Sequence, residues 1–297
     1  MPFADLTDVR MYYELSGSGA PLLLIPGLGT TSQVWDPIAA DLNKHFSVIY
    51  VDNREIGRSQ SLRHARTVRD YSSDLIELLE HLQVDQANVM GLSLGGIIAQ
   101  RFALDHPQIV ERLVLVSCTH SFTPYLREIA RLVGQTLRWF PKPVFARTME
   151  VLGAGPLFLD ANPQRIHERI ELMRQMRLSG RAIIRQLRAL AASEVDARQY
   201  RIQAPTLVVA GEFDALIPHC YARLTAQLID DSRFVLIPQC GHNPFLDCPE
   251  VVLPTIVRFL QTGRLPQDVK LNEAKQRAEV RIVADAAMPP FEASPAT

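Results

Sequence analysis

The stretch that decides the fold runs Asn88-Val89-Met90-Gly91-Leu92-Ser93-Leu94-Gly95-Gly96-Ile97-Ile98-Ala99. It predicts a short buried strand, then Gly-x-Ser-x-Gly, then a helix of small and apolar residues. Gly91 and Gly95 allow a turn so tight that the Ser93 hydroxyl projects above the edge of the sheet. The following helix points its N-terminus at the same place and favours negative charge on a reacting oxygen. Because such a motif also occurs by chance, an ordinary turn between strand and helix stays open here.

Composition places the chain among ordinary globular proteins. Its 297 residues have room for one large α/β domain with an inserted subdomain. The net charge of −1 gives no overall field toward nucleic acid or an anionic membrane. We expect neither a secretory signal nor a membrane span. Cys118, Cys220, Cys240 and Cys248 lack Cys-x-x-Cys and zinc-type spacing, so we expect reduced thiols in a cytoplasmic protein.

Strands alternate with helices over most of the chain, which predicts a doubly wound, mostly parallel sheet. Continuous apolar runs predict buried strands at 22–25, 46–51, 113–117, 206–210 and 234–237. An edge strand at 10–15 is followed by a predicted turn at 16–19. Helices are predicted at 33–44, 71–82, 218–228 and 250–261.

Residues 121–201 contain no good strand, and prolines divide this segment into several predicted helices. We therefore predict a helical lid inserted between two strands of the sheet. The expected division is a first core part (1–120), the lid (121–201), a second core part (202–263) and a C-terminal extension (264–297).

A partial dinucleotide-binding fingerprint lies near the N-terminus. Gly27-x-Gly29 follows a buried run, and a later strand ends at Asp52, as in proteins that bind nucleotide cofactors. Ser32 occupies the position of the third glycine in that fingerprint. A dinucleotide site would also leave Ser93 without a role. We therefore expect no organic cofactor and no metal.

Two later loops carry the partners that a serine nucleophile needs. A serine hydroxyl reacts poorly at neutral pH and requires a base, usually histidine, that a carboxylate orients. Asp214 and His242 each follow a predicted strand, at the edge where open α/β sheets place their ligand crevice. The chain order of the predicted catalytic residues is Ser93, Asp214, His242.

The sequence leaves alternatives for both partners. Asp214 could cap the following helix, and Glu212 could supply the acid instead. Most loop histidines are only solvated, and among the eight in the chain His120 and His219 also follow strands and could line a pocket. The position of His242 after the last predicted strand favours it as the base.

Acyl transfer also needs two donors aimed at the oxygen that becomes negative. One candidate is the backbone N–H of Leu94, the residue after the nucleophile. The other is the N–H of Leu28, because Gly27 and Gly29 let that loop approach a substrate closely. Leu28 and Leu94 are thus the predicted oxyanion hole.

Taken together, these segments resemble the α/β-hydrolase superfamily over residues 9–260. The matching pieces are Pro26-Gly27-Leu28-Gly29 with Trp35, Asp52-Asn53-Arg54, Gly91-Leu92-Ser93-Leu94-Gly95-Gly96, Gly211-Glu212-Phe213-Asp214 and Gly241-His242. The resemblance implies the α/β-hydrolase fold. It points to the esterase and lactonase branch, which includes 3-oxoadipate enol-lactonases and polyketide methylesterases.

Two positions depart from the family pattern. Pro26 stands where the family often has histidine, and Glu55 stands where glycine is usual after the arginine. Both lie next to the expected pocket, so the substrate does not transfer by analogy. Dehalogenases and epoxide hydrolases use an aspartate nucleophile, which Ser93 excludes.

The predicted lid is strongly basic. Residues 121–201 hold thirteen arginines and one lysine against seven acids, a charge of +7, and the remainder of the chain carries −8. Arg174, Arg177, Arg181, Arg185 and Arg188 are spaced for one helix face. The lid could attract an anionic substrate, but a solvated face opposed by acids of the core is the favoured interpretation.

We predict a serine hydrolase that cleaves carboxylic esters or lactones through an acyl-enzyme intermediate. The same residues could support C–C bond hydrolysis, acyl transfer or cofactor-free perhydrolysis. A catalytically idle ligand-binding protein is a further alternative. A small-molecule substrate is expected, without nucleic acid or membrane partners, and the oligomeric state stays open.

Overall fold

The strand that precedes Ser93 lies in the middle of a nine-stranded sheet in this computed structural model, which describes residues 2–61, 64–65, 67–175, 179–192 and 201–266. The strands are β1 (Phe3–Asp5), β2 (Val9–Gly17), β3 (Ala20–Ile25), β4 (Phe46–Val51), β5 (Gln60–Ser61), β6 (Ala87–Leu92), β7 (Val110–Val116), β8 (Thr206–Gly211) and β9 (Ser232–Ile237). Their order is β1-β2-β4-β3-β6-β7-β8-β9, with β5 beside β2. Strands β3, β4 and β6–β9 are parallel, and β1 and β2 pair antiparallel with their neighbours.

Helices cover both faces of this sheet. They are α1 (Asp36–Leu42), α2 (Val68–His81), α3 (Leu94–Asp105), α4 (Pro124–Trp139), α5 (Lys142–Gly153), α6 (Pro156–Ala161), α7 (Pro163–Gln175), α8 (Gly180–Ala191), α9 (His219–Gln227), α10 (Pro244–Asp247) and α11 (Pro249–Thr262). Side chains of β3 alternate between two buried clusters. Leu23 and Ile25 pack in the cluster that contains α2, α3 and α9, and Leu22 and Leu24 pack in the cluster with α1 and α11. The doubly wound, mostly parallel sheet is confirmed.

Helices α4 to α8 lie between β7 and β8, where the sequence places a lid. A small apolar cluster of Val133, Phe145, Ala182 and Ile183 joins these helices, and Ile56 of the core completes it. The inserted segment therefore has its own packing contacts and also packs against the core, where Ile56 and Leu28 meet this cluster and Ala189 and Leu190 of α8 join the main core. The four-part division of the chain stays a prediction, and most of its last part, 267–297, lies outside the described residues.

Element ends differ from the sequence expectation where short turns intervene. The helix expected at 33–44 is a 3-10 turn (Ser32–Trp35) followed by α1, because Pro37 suits only the first turn of an α-helix. The turn expected at 16–19 begins later, since β2 continues through Gly17 opposite Ser47. Strands β1 and β5 and helix α10 are too short for a periodic pattern.

Two of the cysteines lie side by side. The Cα atoms of Cys240 and Cys248 are 6.6 Å apart, because the turn into α10 folds the chain back on itself. Cys118 and Cys220 are free thiols, as expected. Within the described ranges, no helix is long and apolar enough to cross a membrane, and no cluster of His, Cys, Asp and Glu could hold a metal ion.

Candidate active site

Ser93 occupies a strained turn between β6 and α3. Its backbone has φ 57° and ψ −118°, a conformation that non-glycine residues rarely adopt. A Cβ at Gly91 would lie 2.2 Å from the carbonyl oxygen of Gly95, and a Cβ at Gly95 would lie 2.0 Å from that of Ile25. Only glycine fits at these two positions, so the Gly-x-Ser-x-Gly spacing is what permits the turn.

Asp214 and His242 are brought together by the loops after β8 and β9. Nδ1 of His242 lies 2.8 Å from Oδ2 of Asp214. The other carboxylate oxygen of Asp214 accepts hydrogen bonds from the N–H groups of Leu216 (2.9 Å) and Ile217 (2.8 Å). Asp214 therefore caps the following turn with one carboxylate oxygen and contacts the imidazole of His242 with the other. The competing acid, Glu212, instead accepts a hydrogen bond from the backbone of Gln239.

A second carboxylate, which the sequence did not reveal, holds the histidine loop in place. Oδ2 of Asp247 accepts hydrogen bonds from the N–H groups of Gly241 (2.7 Å) and Gly155 (2.8 Å). The N–H of His242 donates to the carbonyl of Gly153 at 2.7 Å. The end of α5 and the loop that carries His242 are thus connected through the backbone. An acid in a four-residue helix gives no sequence signal for this role.

The loop with Leu28 is fixed from two sides. Nδ2 of Asn53 donates to the carbonyl of Pro26 at 3.1 Å, and the N–H of Gly29 donates to Oε1 of Gln186 at 2.8 Å. Gln186 is fully buried on the lid helix α8. The lid therefore contacts the glycine loop directly, across 157 positions of sequence.

A cavity of about 200 Å³ opens beside Ser93, and four of the five predicted site residues line it: Leu28, Ser93, Leu94 and His242. The fifth, Asp214, lies behind His242, and its side chain is fully buried. The rest of the wall is mostly apolar and comes from both core and lid. Lid residues in it are Phe122, Leu126, Ile129, Ala130, Val133, Phe145, Met149, Glu150, Gly153, Ala154, Leu187 and Leu190.

Ser93 and His242 share this cavity, but the described contacts include no hydrogen bond between the hydroxyl and the imidazole. In unliganded enzymes such bonds are commonly long and tighten when substrate binds. The hydroxyl of Ser93 and the imidazole of His242 thus face a common space, and Asp214 already orients the imidazole.

Other ionisable groups near the site are unsuited to catalysis. Burial raises the pKa of the Cys118 thiol, so it stays protonated. His120 is partly buried, and the loss of solvation lowers its pKa. Neither His120 nor His219 is among the described residues that line the cavity.

The carboxylate of Asp52 has a structural role. Its Oδ1 accepts a hydrogen bond from the N–H of Ser32 at 2.8 Å, and its Oδ2 accepts one from the N–H of Arg58 at 3.0 Å. Both carboxylate oxygens of Asp52 therefore bind groups of the protein itself, whereas the acid of a dinucleotide site binds a hydroxyl group of the ribose. This geometry argues against the dinucleotide-site alternative.

The described arginines of the lid do not line the cavity. Among the described residues that line it there is no arginine or lysine. Arg185 instead forms an ion pair with Glu55, at 2.9 Å between Nε and Oε2. Glu55, at the position where glycine is usual, has a φ of 68° and thus shares the left-handed backbone that glycine favours. Arg177 and the side chain of Arg174 lie outside the described residues.

Comparison with known proteins identifies the family to which this fold belongs. The family model for the alpha/beta hydrolase fold matches residues 20–249. The chain belongs to the α/β-hydrolase family. Two relatives of this α/β hydrolase align over nearly their whole length. A candidate carbamate hydrolase of Azorhizobium caulinodans, RutD, is 26% identical over 259 residues, covering 87% of this chain and 98% of the relative.

The second relative is a pimeloyl-acyl-carrier-protein methyl ester esterase of Nitrosospira multiformis, 29% identical over 263 residues, which cover 85% of the α/β hydrolase chain and 98% of the relative. Among solved structures, the enol-lactonase from Burkholderia xenovorans LB400 superposes with a TM-score of 0.79 at 23% identity. That comparison covers 88% of this chain and 100% of the enol-lactonase, and it shows a common fold.

Proposed function

We propose that this α/β hydrolase cleaves carboxylic esters or lactones, with Ser93 as nucleophile, His242 as base and Asp214 as the acid that orients the base. The single observation that carries the proposal is the hydrogen bond between His242 and Asp214 beside a cavity that Ser93 also lines. An esterase among the relatives supports the ester class. A cytoplasmic location stays part of the proposal.

The chemistry follows from these positions. Oγ of Ser93 attacks the substrate carbonyl while Nε2 of His242 accepts its proton. Asp214 stabilises the imidazolium that forms, and the N–H groups of Leu28 and Leu94 stabilise the tetrahedral oxyanion. The imidazolium then gives its proton to the leaving alcohol. Water, deprotonated by the same imidazole, attacks the acyl-enzyme, and the imidazolium returns this proton to Oγ of Ser93 as the acid is released.

Replacement of the nucleophile tests the proposal. In Ser93→Ala, turnover of p-nitrophenyl short-chain esters is expected to fall by about 10⁴-fold or more, because the covalent step is lost. The circular dichroism spectrum and Tm should stay close to those of the parent. A fluorophosphonate probe is expected to label the parent but not the variant. His167→Ala, at an exposed histidine of α7, serves as the control and should keep full activity.

Full activity in Ser93→Ala would show that the proposed nucleophile is wrong. If the probe does not label the parent protein, a ligand-binding role on the same scaffold becomes the better interpretation. A panel of esters, lactones and carbamates, with product analysis, then separates ester hydrolysis from carbamate cleavage, C–C bond hydrolysis, acyl transfer and perhydrolysis. The carbamate arm is included because of the RutD relative.

A further inference from the structure

The junction of α4 and α5 exposes large apolar side chains. Leu132, Trp139, Phe140 and Val144, which we call the lid tip, are 58%, 71%, 55% and 40% exposed. Leu132 and Trp139 are two helical turns apart and share a face of α4. Single exposed apolar residues are common, but a group that includes adjacent Trp and Phe indicates a binding surface.

The lid tip lies on a different face of α4 and α5 from the residues that line the cavity. Ile129 and Val133 of α4, and Phe145 and Met149 of α5, line the cavity. The same two helices thus present one apolar face to the active site and a second one to solvent. The exposed face has no role in the catalytic geometry.

Basic residues are concentrated in the sequence around the lid tip. Between Glu128 and Glu150 the sequence contains four cations, Arg131, Arg138, Lys142 and Arg147, and no acid. The guanidinium of Arg138 lies 5.2 Å from the centroid of the Trp139 ring. Arg131 additionally forms an exposed ion pair with Glu128. The net charge of −1 for the whole chain conceals this local positive surface.

We propose that the lid tip binds the surface of anionic membranes. Tryptophan favours the headgroup region, phenylalanine and leucine enter the acyl boundary, and basic residues attract anionic headgroups. The combination of aromatic and basic groups fits such a surface better than a second copy of this chain, because two basic tips would repel each other. This binding departs from our sequence-based expectation of no membrane partner, which rested on the net charge of the whole chain.

The two tryptophans of the chain allow a direct test. Trp35 is fully buried and Trp139 is mostly exposed, so a change of emission on vesicle binding reports on Trp139. Vesicles of phosphatidylcholine containing 30% phosphatidylglycerol should shift the emission to shorter wavelength at low ionic strength. Pure phosphatidylcholine vesicles should cause little shift, and 0.5 M NaCl should reverse the effect. The measurement uses the Ser93→Ala protein, so its outcome does not depend on the proposed activity.

Variants then locate the contact by co-sedimentation with the same vesicles. Trp139→Ala/Phe140→Ala and Arg138→Glu are each expected to weaken association by about tenfold or more, as loss of a hydrophobic anchor or of charge attraction predicts. Leu15→Ala removes an apolar side chain that is as exposed as Phe140, 55% for each, on β2 and should have no effect.

Absence of binding by the parent protein would overturn the proposal. So would equal binding to neutral vesicles, or an equal loss in Leu15→Ala. If the double variant instead dissolves a dimer seen without lipid, the surface is an interface between copies.

Discussion

Individual glycines and buried charges decide whether the site can form. The residue spacing predicted the tight turn at Ser93, and the approach of Gly91 and Gly95 to backbone carbonyls confirms the steric reason. Strain in such a turn costs about 1–3 kcal/mol, which the surrounding packing offsets. Contacts made by single polar side chains were not predictable. Asp247, for example, binds two N–H groups that lie far apart in sequence.

A methyl group at position 95 tests this steric requirement. Gly95→Ala is expected to destabilise the protein by more than about 3 kcal/mol or prevent folding, because its Cβ would lie 2.0 Å from a backbone oxygen. Gly134→Ala, in α4 with only an ordinary contact at 3.8 Å, is the matched control. It should stabilise the protein by about 0.5–1 kcal/mol through helix propensity. Urea unfolding measures both changes, and equal stability of the two variants would contradict the steric argument.

The buried ion pair of Arg54 and Asp74 gives a prediction about pH. Both side chains are 3% exposed, and Nε of Arg54 lies 2.6 Å from Oδ2 of Asp74. Arg54→Met should cost about 3–5 kcal/mol at pH 8, since it leaves a buried carboxylate alone. Burial already raises the pKa of Asp74 to about 6, and loss of the guanidinium raises it further.

A carboxyl whose pKa is higher in the folded than in the unfolded state takes up its proton preferentially when folded. Stability is therefore regained as the pH falls through the folded pKa. The deficit of Arg54→Met relative to the parent should be smaller at pH 5 than at pH 8, measured by urea unfolding. Lys44→Met removes the exposed pair with Asp41 and should change stability by less than about 1 kcal/mol at either pH. A pH-independent deficit in Arg54→Met would argue against this account.

At the scale of elements, the prolines of the lid start helices. Pro124, Pro156 and Pro163 each begin a helix, where the missing N–H costs nothing. The sequence thus predicted several helices in this segment. It could not predict how they dock, because the contact between Gln186 and Gly29 depends on the tertiary structure rather than on any local pattern.

Gln186 is expected to position the glycine loop for catalysis. Gln186→Met keeps the approximate length of the side chain but leaves the buried N–H of Gly29 without an acceptor, which costs about 1–3 kcal/mol. Because the neighbouring N–H of Leu28 is the proposed oxyanion donor, kcat should fall by about tenfold with little change in KM. Arg185→Met breaks only the ion pair with Glu55 on the same helix and should affect kcat much less. Equal losses of kcat in Gln186→Met and Arg185→Met would indicate that activity depends only on the docking of the lid and not on the hydrogen bond to Gly29.

At the scale of the whole molecule, the parallel sheet gathers residues that are distant along the chain. The carboxyl ends of β6, β8 and β9 lie at one edge, so their loops bring Ser93, Asp214 and His242 together. This convergence was predictable from the alternation of strands and helices. The electrostatics of the cavity were not, because the lid is basic in sequence but contributes no arginine or lysine to the described cavity wall.

The cavity should therefore prefer neutral acyl groups. Its only described ionisable lining residues are Glu150 and His242, and no cation among them would balance a buried carboxylate. We expect kcat/KM for p-nitrophenyl hexanoate to exceed that for the mono-p-nitrophenyl ester of adipic acid by at least about tenfold, a difference of about 1.4 kcal/mol. Rates at matched pH and ionic strength provide the measurement. A preference for the acidic ester would indicate that lid cations enter the site.

The links between the lid and the catalytic loops also bear on how substrates arrive. Three of them join Gly153 to His242, Gly155 to Asp247 and Gln186 to Gly29. A rigid-body movement of the whole lid would displace His242 and the glycine loop from their positions beside the cavity. We therefore expect substrate and product to enter and leave through rotation of side chains in the cavity wall while the lid helices stay in place. The arrangement needed for reaction would then exist before any ligand binds.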